Sequence, residues 1–432
     1  MKDIYVQDLF KMDQGTVKGW VYRIRHLKDD VFIVLRDSSG IIQCVVHKNN
    51  VTPEIWDLAN ELTIESSIEV SGKIVSQEKA PNGKEMIVES LKVYQIAEPF
   101  PIAKDFSEEF LLSVRHLWIR SRKMTNILKV RSTLTGAIHE FFRKKGFYEF
   151  HPPIFQPTQC EGGATLFEVK YFDNNKVYLT QSWQLYAELA IFALEKIYDV
   201  APTFRAERSK TSRHLAEFWM AEMEVAWASY LDVIKIAFEE IKYIIDKIVK
   251  ENERELKELN VNIDYLKWLR DQEYKIITYD DALALLKEKF NLEIPWGKDL
   301  RTIEEKHIAD YFKVPVAVTH YPKEIMAFYK PVDYEKKSIG PVAKCFDILA
   351  PNVGEIFGGS ERDLDIEAMK EALTKDGENP SNYEWYFDSR RYGSVQHAGY
   401  GMGVERVLMW LLDLDNIKDT IPFPRTMQRW TP

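Results

Sequence analysis

Near its carboxyl end the chain reads Gly399-Tyr400-Gly401-Met402-Gly403-Val404-Glu405-Arg406, a glycine run that ends in an acidic and a basic residue. The apolar run 407–412 follows directly and predicts a helix. Val404 stands where a dinucleotide-binding fingerprint needs its third glycine, and the chain contains no Gly-Lys-Ser/Thr phosphate loop. The glycines instead allow the backbone to lie close to a flat ligand, whose phosphates Arg406 can then reach.

A second arginine motif, Phe204-Arg205-Ala206-Glu207, lies in the middle of the chain and is followed by the charged stretch 208–214. Arginine stays protonated and presents a planar fork that matches phosphate oxygens. Two such arginines, each set beside a glutamate, predict a site that grips a polyphosphate at two points.

Composition limits the class of protein. The 432 residues, 45% hydrophobic and 13% aromatic, predict two or three domains with sizeable cores. The cysteines, Cys44, Cys160 and Cys345, are odd in number and lack metal-ligand spacing, which argues against disulfides and zinc and favours a reducing cytoplasm. No apolar run approaches a membrane span, and Met-Lys-Asp-Ile-Tyr begins no signal peptide. The net charge of −9 argues against indiscriminate nucleic-acid binding but leaves room for local basic patches.

The first part of the chain, residues 1–98, predicts a small all-β domain. Its short runs of β-forming residues are 17–22, 31–35, 41–46, 67–70 and 86–88. So many short strands in under a hundred residues predict an OB-fold barrel, a common platform for single-stranded nucleic acid. Pro99-Phe100-Pro101 break the pattern and predict a linker over 99–123.

The remainder, 124–432, predicts a larger α+β domain. The segments 124–145 and 230–259 carry apolar residues at helical spacing. Strand-like runs such as 176–180 and 315–319 lie among the helices without a regular βαβ alternation. We therefore expect an antiparallel sheet flanked by helices.

In this order, the two arginine motifs resemble motifs 2 and 3 of the class II aminoacyl-tRNA synthetases, and the resemblance extends over nearly the whole chain. The stretch 146–153 looks like motif 1, whose proline lies at the dimer interface in this family. Four further stretches resemble subclass IIb, the members that handle aspartate and asparagine: 161–167, 181–186, 358–362 and 423–426. This subclass carries an OB-fold anticodon reader in front of the catalytic domain.

The resemblance implies how ATP is held. Arg205 would bind the α-phosphate and the amino-acid carboxylate, where it stabilises charge that develops during in-line attack. Phe218 would stack on adenine, with Arg406 against its other face and near the γ-phosphate. The other ATP-binding residues would be Glu207, Arg213 and His214. Arg205 and Arg406 are thus the predicted catalytic residues.

The resemblance also assigns a metal and an amino-acid subsite. Asp347 and Glu355 offer hard oxygen ligands and would hold Mg²⁺. The residues that would receive the substrate amino acid are Glu161, Ser182, Gln184, Glu222 and Arg362. A buried glutamate such as Glu161 requires a cation, which a bound α-amino group supplies.

Two positions favour asparagine over aspartate as the substrate. In the aspartyl enzymes the run 181–188 normally contains a lysine that meets the substrate carboxylate, and this chain has Ala187 there. Glu222 stands where aspartyl enzymes carry aspartate, and its longer arm can accept a hydrogen bond from an amide and repel a carboxylate. Such polar pairing rejects the wrong analogue by about 10⁴-fold or more. Arg362 can donate to the oxygen of either substrate.

The first domain carries candidate anticodon contacts. Phe32 and Gln43 match positions that stack on and bond to the middle anticodon base in the subclass, and Glu85 matches a contact to the third base. A place in the barrel core is the alternative for Phe32. Because aspartate and asparagine anticodons differ only at the third base, this domain does not decide the substrate.

The sequence therefore predicts an enzyme that activates L-asparagine with ATP and Mg²⁺ and transfers it to tRNA(Asn). It would be a cytoplasmic homodimer of the compact archaeal or bacterial type, without membrane contact. An aspartyl enzyme with relaxed tRNA choice is one alternative, disfavoured by Ala187 and Glu222. An asparagine synthetase related to the catalytic domain would not need an OB-fold, and a non-catalytic tRNA-binding paralogue would be expected to lose ATP-binding residues.

Overall fold

The computed structural model describes residues 2–102, 106–162, 165–208 and 213–432, with the backbone alone described at position 174. The chain forms two compact units, Met1–Leu112 and Ser113–Pro432. The predicted linker over 99–123 contains two short helices, α3 (Glu108–Ser113) and α4 (Arg115–Trp118). The boundaries 1–98, 99–123 and 124–432 stay a prediction.

The first unit is a closed five-stranded barrel with strand order β1-β2-β3-β5-β4, so the predicted OB-fold is confirmed. Its elements are α1 (Val6–Leu9), β1 (Gln14–His26), β2 (Asp30–Arg36), β3 (Ile41–His47), α2 (Pro53–Glu61), β4 (Ser67–Ser76) and β5 (Lys84–Gln95). Along β2, Val31, Ile33 and Leu35 are buried, whereas Phe32 and Val34 between them are partly exposed. This two-residue period follows from the pleat and separates the barrel core from its outer face.

After α4, the second unit contains α5 (Arg122–Lys144) and an eight-stranded sheet of order β12-β13-β14-β15-β16-β11-β10-β6. The strands of this sheet are β6 (Tyr148–Glu149), β10 (Lys196–Phe204), β11 (Glu217–Ala226), β12 (Lys275–Thr278), β13 (Val316–Thr319), β14 (Cys345–Ala350), β15 (Gly354–Glu361) and β16 (His397–Gly403). Only the pairs β12–β13 and β10–β6 are parallel, so the predicted α+β class is confirmed. A separate sheet contains β7 (Phe155–Gln156), β9 (Lys176–Leu179) and β8 (Glu168–Lys170).

Helices flank the large sheet. They are α6 (Gln184–Leu194), α7 (Tyr230–Glu251), α8 (Glu253–Glu258), α9 (Ile263–Asp271), α10 (Tyr279–Phe290), α11 (Thr302–Phe312), α12 (Ile366–Lys375), α13 (Glu384–Arg391) and α14 (Val404–Leu411). Short 3-10 helices occur at Lys48–Asn50, Pro81–Gly83, Phe172–Asn174, Lys323–Ile325, Pro380–Tyr383 and Ile417–Asp419. No helix within the described ranges is long and apolar enough to cross a membrane.

The long helix α7 packs on α5 and on the central strands, and together they enclose the largest core cluster. Its start is set by Ser229, whose hydroxyl accepts from the Asp232 amide while the Asp232 carboxylate accepts from the Ser229 amide. The sequence predicted one helix over 230–259. The structure instead ends α7 before Asn252, whose φ of −121° is not helical, and resumes with α8. Apolar periodicity continues across this break, which is why the pattern did not reveal it.

Candidate active site

A cleft enclosing about 1050 Å³ of empty space, its solvent-filled mouth included, lies on the large sheet. It gathers every residue that the sequence assigned to ATP, metal or amino acid: Glu161, Ser182, Gln184, Arg205, Glu207, Arg213, His214, Phe218, Glu222, Asp347, Glu355, Arg362 and Arg406. Alternate residues of β11 face this cleft, namely Phe218, Met220 and Glu222, because side chains on one face of a strand repeat every two residues.

The glycines of β16 allow close packing beside the cleft. Gly399 lies opposite Glu224 on β11 and opposite Ser360 on β15. A Cβ atom on Gly399 would overlap the Glu224 carboxylate and come within 2.8 Å of Arg362 Nη2. Glycine at this position therefore makes room for the buried ion pair of Glu224 with Arg362. This role adds to the one predicted from the sequence, in which the glycines let a ligand lie close to the backbone.

Arg205 follows the last residue of β10, and its amide donates to the Ala216 carbonyl at 3.0 Å. Its guanidinium lies 5.6 Å from the centroid of the Phe218 ring. Its buried Nε has no hydrogen-bond partner among the residues that the structure describes. A partly exposed guanidinium with an unused, buried donor is suited to an anionic ligand such as a phosphate or carboxylate.

Arg406 lies in the first turn of α14 and is already paired. Its Nη1 donates to Glu355 Oε2 at 2.8 Å and to the Glu355 carbonyl at 3.2 Å. Burial alone would lower the pKa of Arg406, but the Glu355 carboxylate outweighs it and the pKa is raised. The sequence placed Arg406 against the face of adenine opposite Phe218, and that contact stays a prediction. The cation near the Phe218 ring is Arg205.

Asp347 on β14 and Glu355 on β15 come together beside Gly358. A Cβ atom built on Gly358 would lie 3.3 Å from Glu355 Oε1 and 3.5 Å from Asp347 Oδ1. Burial, and then the Glu355 charge, raise the pKa of Asp347 well above its usual range. Two close, partly exposed carboxylates that offer hard oxygen atoms fit a divalent cation such as Mg²⁺, whose charge would relieve their repulsion.

Three further residues predicted to bind ATP lie at the edge of the cleft. Arg213 Nη1 is 2.7 Å from Glu305 Oε2 and donates to the Val353 carbonyl at 3.0 Å. His214 Nε2 lies 3.5 Å from Glu207 Oε2. Burial and the nearby Arg406 lower the pKa of His214. The stretch 209–212 between these residues is outside the described ranges, and their contacts with ATP stay predictions.

Glu222 lies at the floor of the opposite end of the cleft. Its Oε1 accepts from the Ser182 hydroxyl at 2.6 Å, and its Oε2 accepts from the Trp183 amide at 3.1 Å. Burial raises the pKa of Glu222 to about 7, although both hydrogen bonds favour the charged form. Glu222 thus presents a partly compensated negative charge to any ligand side chain in the cleft.

Arg362 is only 4% exposed and is paired with a residue that the sequence reading missed. Its Nε and Nη2 donate to the two oxygens of Glu224 at 3.0 and 2.8 Å, and its Nη1 donates to Ser360 Oγ at 2.8 Å. The Tyr329 ring lies 5.4 Å from its guanidinium carbon. This bidentate pairing with Glu224 fixes Arg362 in one orientation and neutralises its charge.

Glu161 lines the cleft but is exposed, so the expectation of a buried glutamate was wrong; residues 163–164 that follow are outside the described ranges. Its Oε1 accepts from the Tyr329 hydroxyl at 2.8 Å, and its amide donates to Gln181 Oε1 at 3.1 Å. Tyr329 and Lys330 line the cleft but were not predicted. The sequence feature that could have identified these two residues is the aromatic residue followed by lysine in Phe328-Tyr329-Lys330.

Ala187, the position of the absent lysine, is fully buried among apolar side chains and does not line the cleft. The next residue, Glu188, accepts from Gln184 Nε2 at 3.0 Å. Glu188 is also bound by Arg390 and His397, neither of which was predicted. These partners are far apart in the sequence, so no local pattern could have connected them.

The predicted anticodon residues share the outer face of the barrel. Phe32 is partly exposed on β2, two residues before Val34, which pairs with Gln43 on β3. Gln43 pairs in turn with Glu85 on β5, and its Nε2 donates to Glu85 Oε2 at 2.7 Å. Phe32 is therefore not a core residue, and the three side chains lie on adjacent strands.

Comparison with known proteins agrees with this arrangement of two units. Residues 107–427 match the family model of class II tRNA synthetases of the D, K and N types, and residues 16–94 match the OB-fold nucleic acid binding domain.

Individual relatives are similar over almost their full length. The chain is 43% identical to the asparagine–tRNA ligase of Thermoplasma acidophilum, over 96% of both chains. It matches the crystal structure of asparaginyl-tRNA synthetase from Pyrococcus horikoshii complexed with asparaginyl-adenylate with a TM-score of 0.94, at 41% identity over 100% of both chains. The aspartyl-tRNA synthetase of Entamoeba histolytica matches with a TM-score of 0.84 at 25% identity, over 100% of this chain and 93% of that one. The chain therefore belongs to the class II aminoacyl-tRNA synthetases and, within them, to the asparagine–tRNA ligase family.

Proposed function

We propose that this protein activates L-asparagine with ATP and transfers the asparaginyl group to the 3′ end of tRNA(Asn). The observation that carries the choice of amino acid is the pairing of Arg362 with Glu224 in the presence of Glu222. A substrate carboxylate in this end of the cleft would meet a cation that is already neutralised and an additional carboxylate. A neutral carboxamide can accept from Arg362 and donate to a carboxylate, which uses both partners.

The first reaction step needs no general base, because the nucleophile is already a carboxylate. Arg205 would bind the α-phosphate and the asparagine carboxylate through donors that include its unused Nε. Charge increases at the phosphorus during in-line attack, and a fixed guanidinium stabilises it without reorganisation. Phe218 supplies an aromatic face for adenine, and Arg406 a second cation for the γ-phosphate.

Asp347 and Glu355 would hold Mg²⁺, which when bound neutralises phosphate charge in the cleft. Arg406 already compensates one of these carboxylates. Glu207, Arg213 and His214 would complete the ATP subsite. Glu161, Ser182 and Gln184 would receive the substrate ammonium, with Glu161 oriented by the Tyr329 hydroxyl.

The tRNA would be recognised in part by the outer face of the barrel. Phe32 offers an aromatic ring for stacking, and Gln43 and Glu85 offer hydrogen-bonding groups beside it. This face suits unpaired bases such as those of an anticodon.

The protein would act as a homodimer in the cytoplasm. The aromatic residues Phe155, Tyr171 and Phe172, in and beside the small sheet, form an exposed apolar patch, and Tyr148 of the motif 1 region is also exposed. Tyr148 is 60% and Phe172 75% exposed, and the Tyr171 ring lies 5.0 Å from Phe172 and 5.9 Å from Phe155. A second copy of the chain would cover this patch. Sedimentation tests this assembly, and a monomeric mass at micromolar concentration would contradict it.

We expect ATP–pyrophosphate exchange in the presence of Mg²⁺ and asparagine, and little exchange with aspartate. Aminoacylation of tRNA(Asn) should follow when tRNA is added. Exchange with aspartate alone would contradict the substrate assignment and favour an aspartyl or amidating enzyme. Absence of exchange with both amino acids, with and without tRNA, would favour a tRNA-binding paralogue.

Replacing Phe32 by alanine should weaken tRNA binding and leave asparagine-dependent exchange unchanged. The loss of one stacked base corresponds to about 1–3 kcal/mol, or roughly a 5- to 150-fold increase in the KM for tRNA. The matched control is Phe32→Tyr, which keeps the ring and should keep the affinity. Equal tRNA affinity of the alanine variant and the wild type would remove Phe32 from the anticodon site.

A further inference from the structure

A buried network of charged side chains lies behind the amino-acid end of the cleft. Its centre is Glu188 on α6, which is fully buried and does not line the cleft. Arg390 Nη2 on α13 lies 2.5 Å from Glu188 Oε2, and His397 Nε2 on β16 lies 2.9 Å from the same oxygen. The Tyr386 hydroxyl lies 2.9 Å from each oxygen of Glu188. A carboxylate with this many donors is held in one position.

The hydrogen bonds of His397 define its charge. Its Nδ1 lies 2.7 Å from the Val395 carbonyl, and its Nε2 faces Glu188. A carbonyl oxygen and a carboxylate oxygen both accept, so both ring nitrogens must donate and the imidazole is a cation. Burial opposes ionisation of Glu188, but Arg390 and His397 outweigh it and lower the pKa of Glu188 below its usual range.

The network reaches the cleft through two of its lining residues. Gln184 Nε2 donates to Glu188 Oε1 at 3.0 Å, and Arg362 Nε lies 3.9 Å from the same oxygen. Arg362 makes its shorter bonds to Glu224. Glu188 therefore contacts both the residue that would meet the ammonium and the residue that would meet the side chain of asparagine.

The network and its direct contacts contain three basic and three acidic side chains, and Glu161 and Lys330 line the cleft beside them. The cations are Arg362, Arg390 and His397, and the carboxylates are Glu188, Glu222 and Glu224. A neutral substrate side chain leaves this balance unchanged, whereas a carboxylate would add an uncompensated negative charge in a region of low dielectric. Of these six residues, Arg362 and Glu222 line the cleft, and the other four lie behind it.

We propose that Glu188, clamped by Arg390 and His397, determines the charge of the substrate side-chain pocket from outside it and so favours asparagine over aspartate. Glu188 and Arg390 are positioning residues, because they act through Gln184 and Arg362 and touch no substrate. This inference rests on the proposed function and extends it to residues behind the cleft.

Replacing Glu188 or Arg390 by an uncharged residue, one at a time, should shift the preference between asparagine and aspartate in opposite directions. Glu188→Gln keeps the size and removes one negative charge, so the ratio of kcat/KM for aspartate to that for asparagine should rise by about 10- to 100-fold. Arg390→Met removes one positive charge, so the same ratio should fall below that of the wild type. The double variant restores the balance and should return the ratio to near the wild-type value.

Exchange with asparagine and with aspartate is measured on the same preparation of each variant, so that the folded fraction cancels in the ratio. Arg390→Lys keeps the charge and is the matched control, whose ratio should not move even where its stability falls. Calorimetric binding of the two amino acids gives a second readout that does not require turnover.

The outcomes separate the two proposals. Wild-type exchange with aspartate but not asparagine would overturn the proposed function and the preference for asparagine. Opposite shifts of the ratio in the two single variants would then still support control of the pocket charge by the clamp. Equal losses for both amino acids in Glu188→Gln and Arg390→Met would assign the network a purely structural role and overturn the inference.

Discussion

Replacing Arg205 by alanine is expected to lower asparagine-dependent ATP–pyrophosphate exchange by about 10³-fold or more. The loss follows because the guanidinium would hold both reacting partners, the α-phosphate and the carboxylate, and would stabilise the charge between them. The side chain has little structural duty, since its buried Nε has no partner in the described part of the chain. The alanine variant should therefore fold, with a melting temperature close to that of the wild type.

Two further variants make this result interpretable. Arg205→Lys keeps the charge but loses the planar fork, and its exchange rate should fall between those of the wild type and the alanine variant. Arg270→Ala removes a surface arginine that pairs with Asp246 and Asp271 outside the cleft, and should leave exchange unchanged. Exchange by Arg205→Ala within tenfold of the wild type would exclude a direct role in phosphoryl chemistry.

The sequence predicted the parts of the fold that depend on local patterns. The strands of the barrel follow from short runs of β-forming residues. On β2 the run 31–35 is apolar throughout, so the sequence left open whether Phe32 faces the core, and the fold places it on the outer face. The break between α7 and α8 at Asn252 was missed, because it interrupts the backbone without interrupting the apolar stripe.

The features of the candidate site also fall into two groups, those that local motifs predicted and those that only the fold reveals. Arg205, Glu222 and Arg406 belong to contiguous motifs, and all of them line the cleft. The pairings that fix the orientation of Glu222 and Arg406, with Ser182 and Glu355, join residues far apart in the sequence and were not predicted. Glu224 stands two residues after the predicted Glu222, but only the register of β11 against β16 places it beside Arg362.

The charged groups behind the site illustrate why the rest could not be read from sequence. Glu188, Arg390 and His397 lie on three separate elements, and none stands in a distinctive pattern. Their meeting depends on how α6 and α13 pack beside β16. Burial and pairing, not residue type, give them their role, and both are properties of the folded chain.

Replacing Glu240 by glutamine is expected to remove a loss of stability that the wild type suffers as the pH rises. Glu240 is fully buried on α7, where its Oε2 accepts from the Tyr400 hydroxyl at 2.6 Å and its Oε1 has no partner among the described residues. Burial raises the pKa of Glu240 from 4.5 to about 8. Between these values the folded state keeps a proton that the unfolded chain releases, so stability falls as pH rises. At pH 7 the cost is on the order of 3 kcal/mol.

Glutamine cannot ionise in either state, so the variant lacks this pH dependence. An amide group without a hydrogen-bond partner at this position costs about 1–3 kcal/mol, and this cost is the same at every pH. The informative quantity is therefore the change in unfolding free energy between pH 5 and pH 8, measured by denaturant titration. That change should be smaller in Glu240→Gln than in the wild type, whereas Glu239→Gln, the exposed neighbour, should behave as the wild type. Parallel pH profiles for Glu240→Gln and the wild type would show that Glu240 is ionised in the folded protein and has a partner that balances its charge.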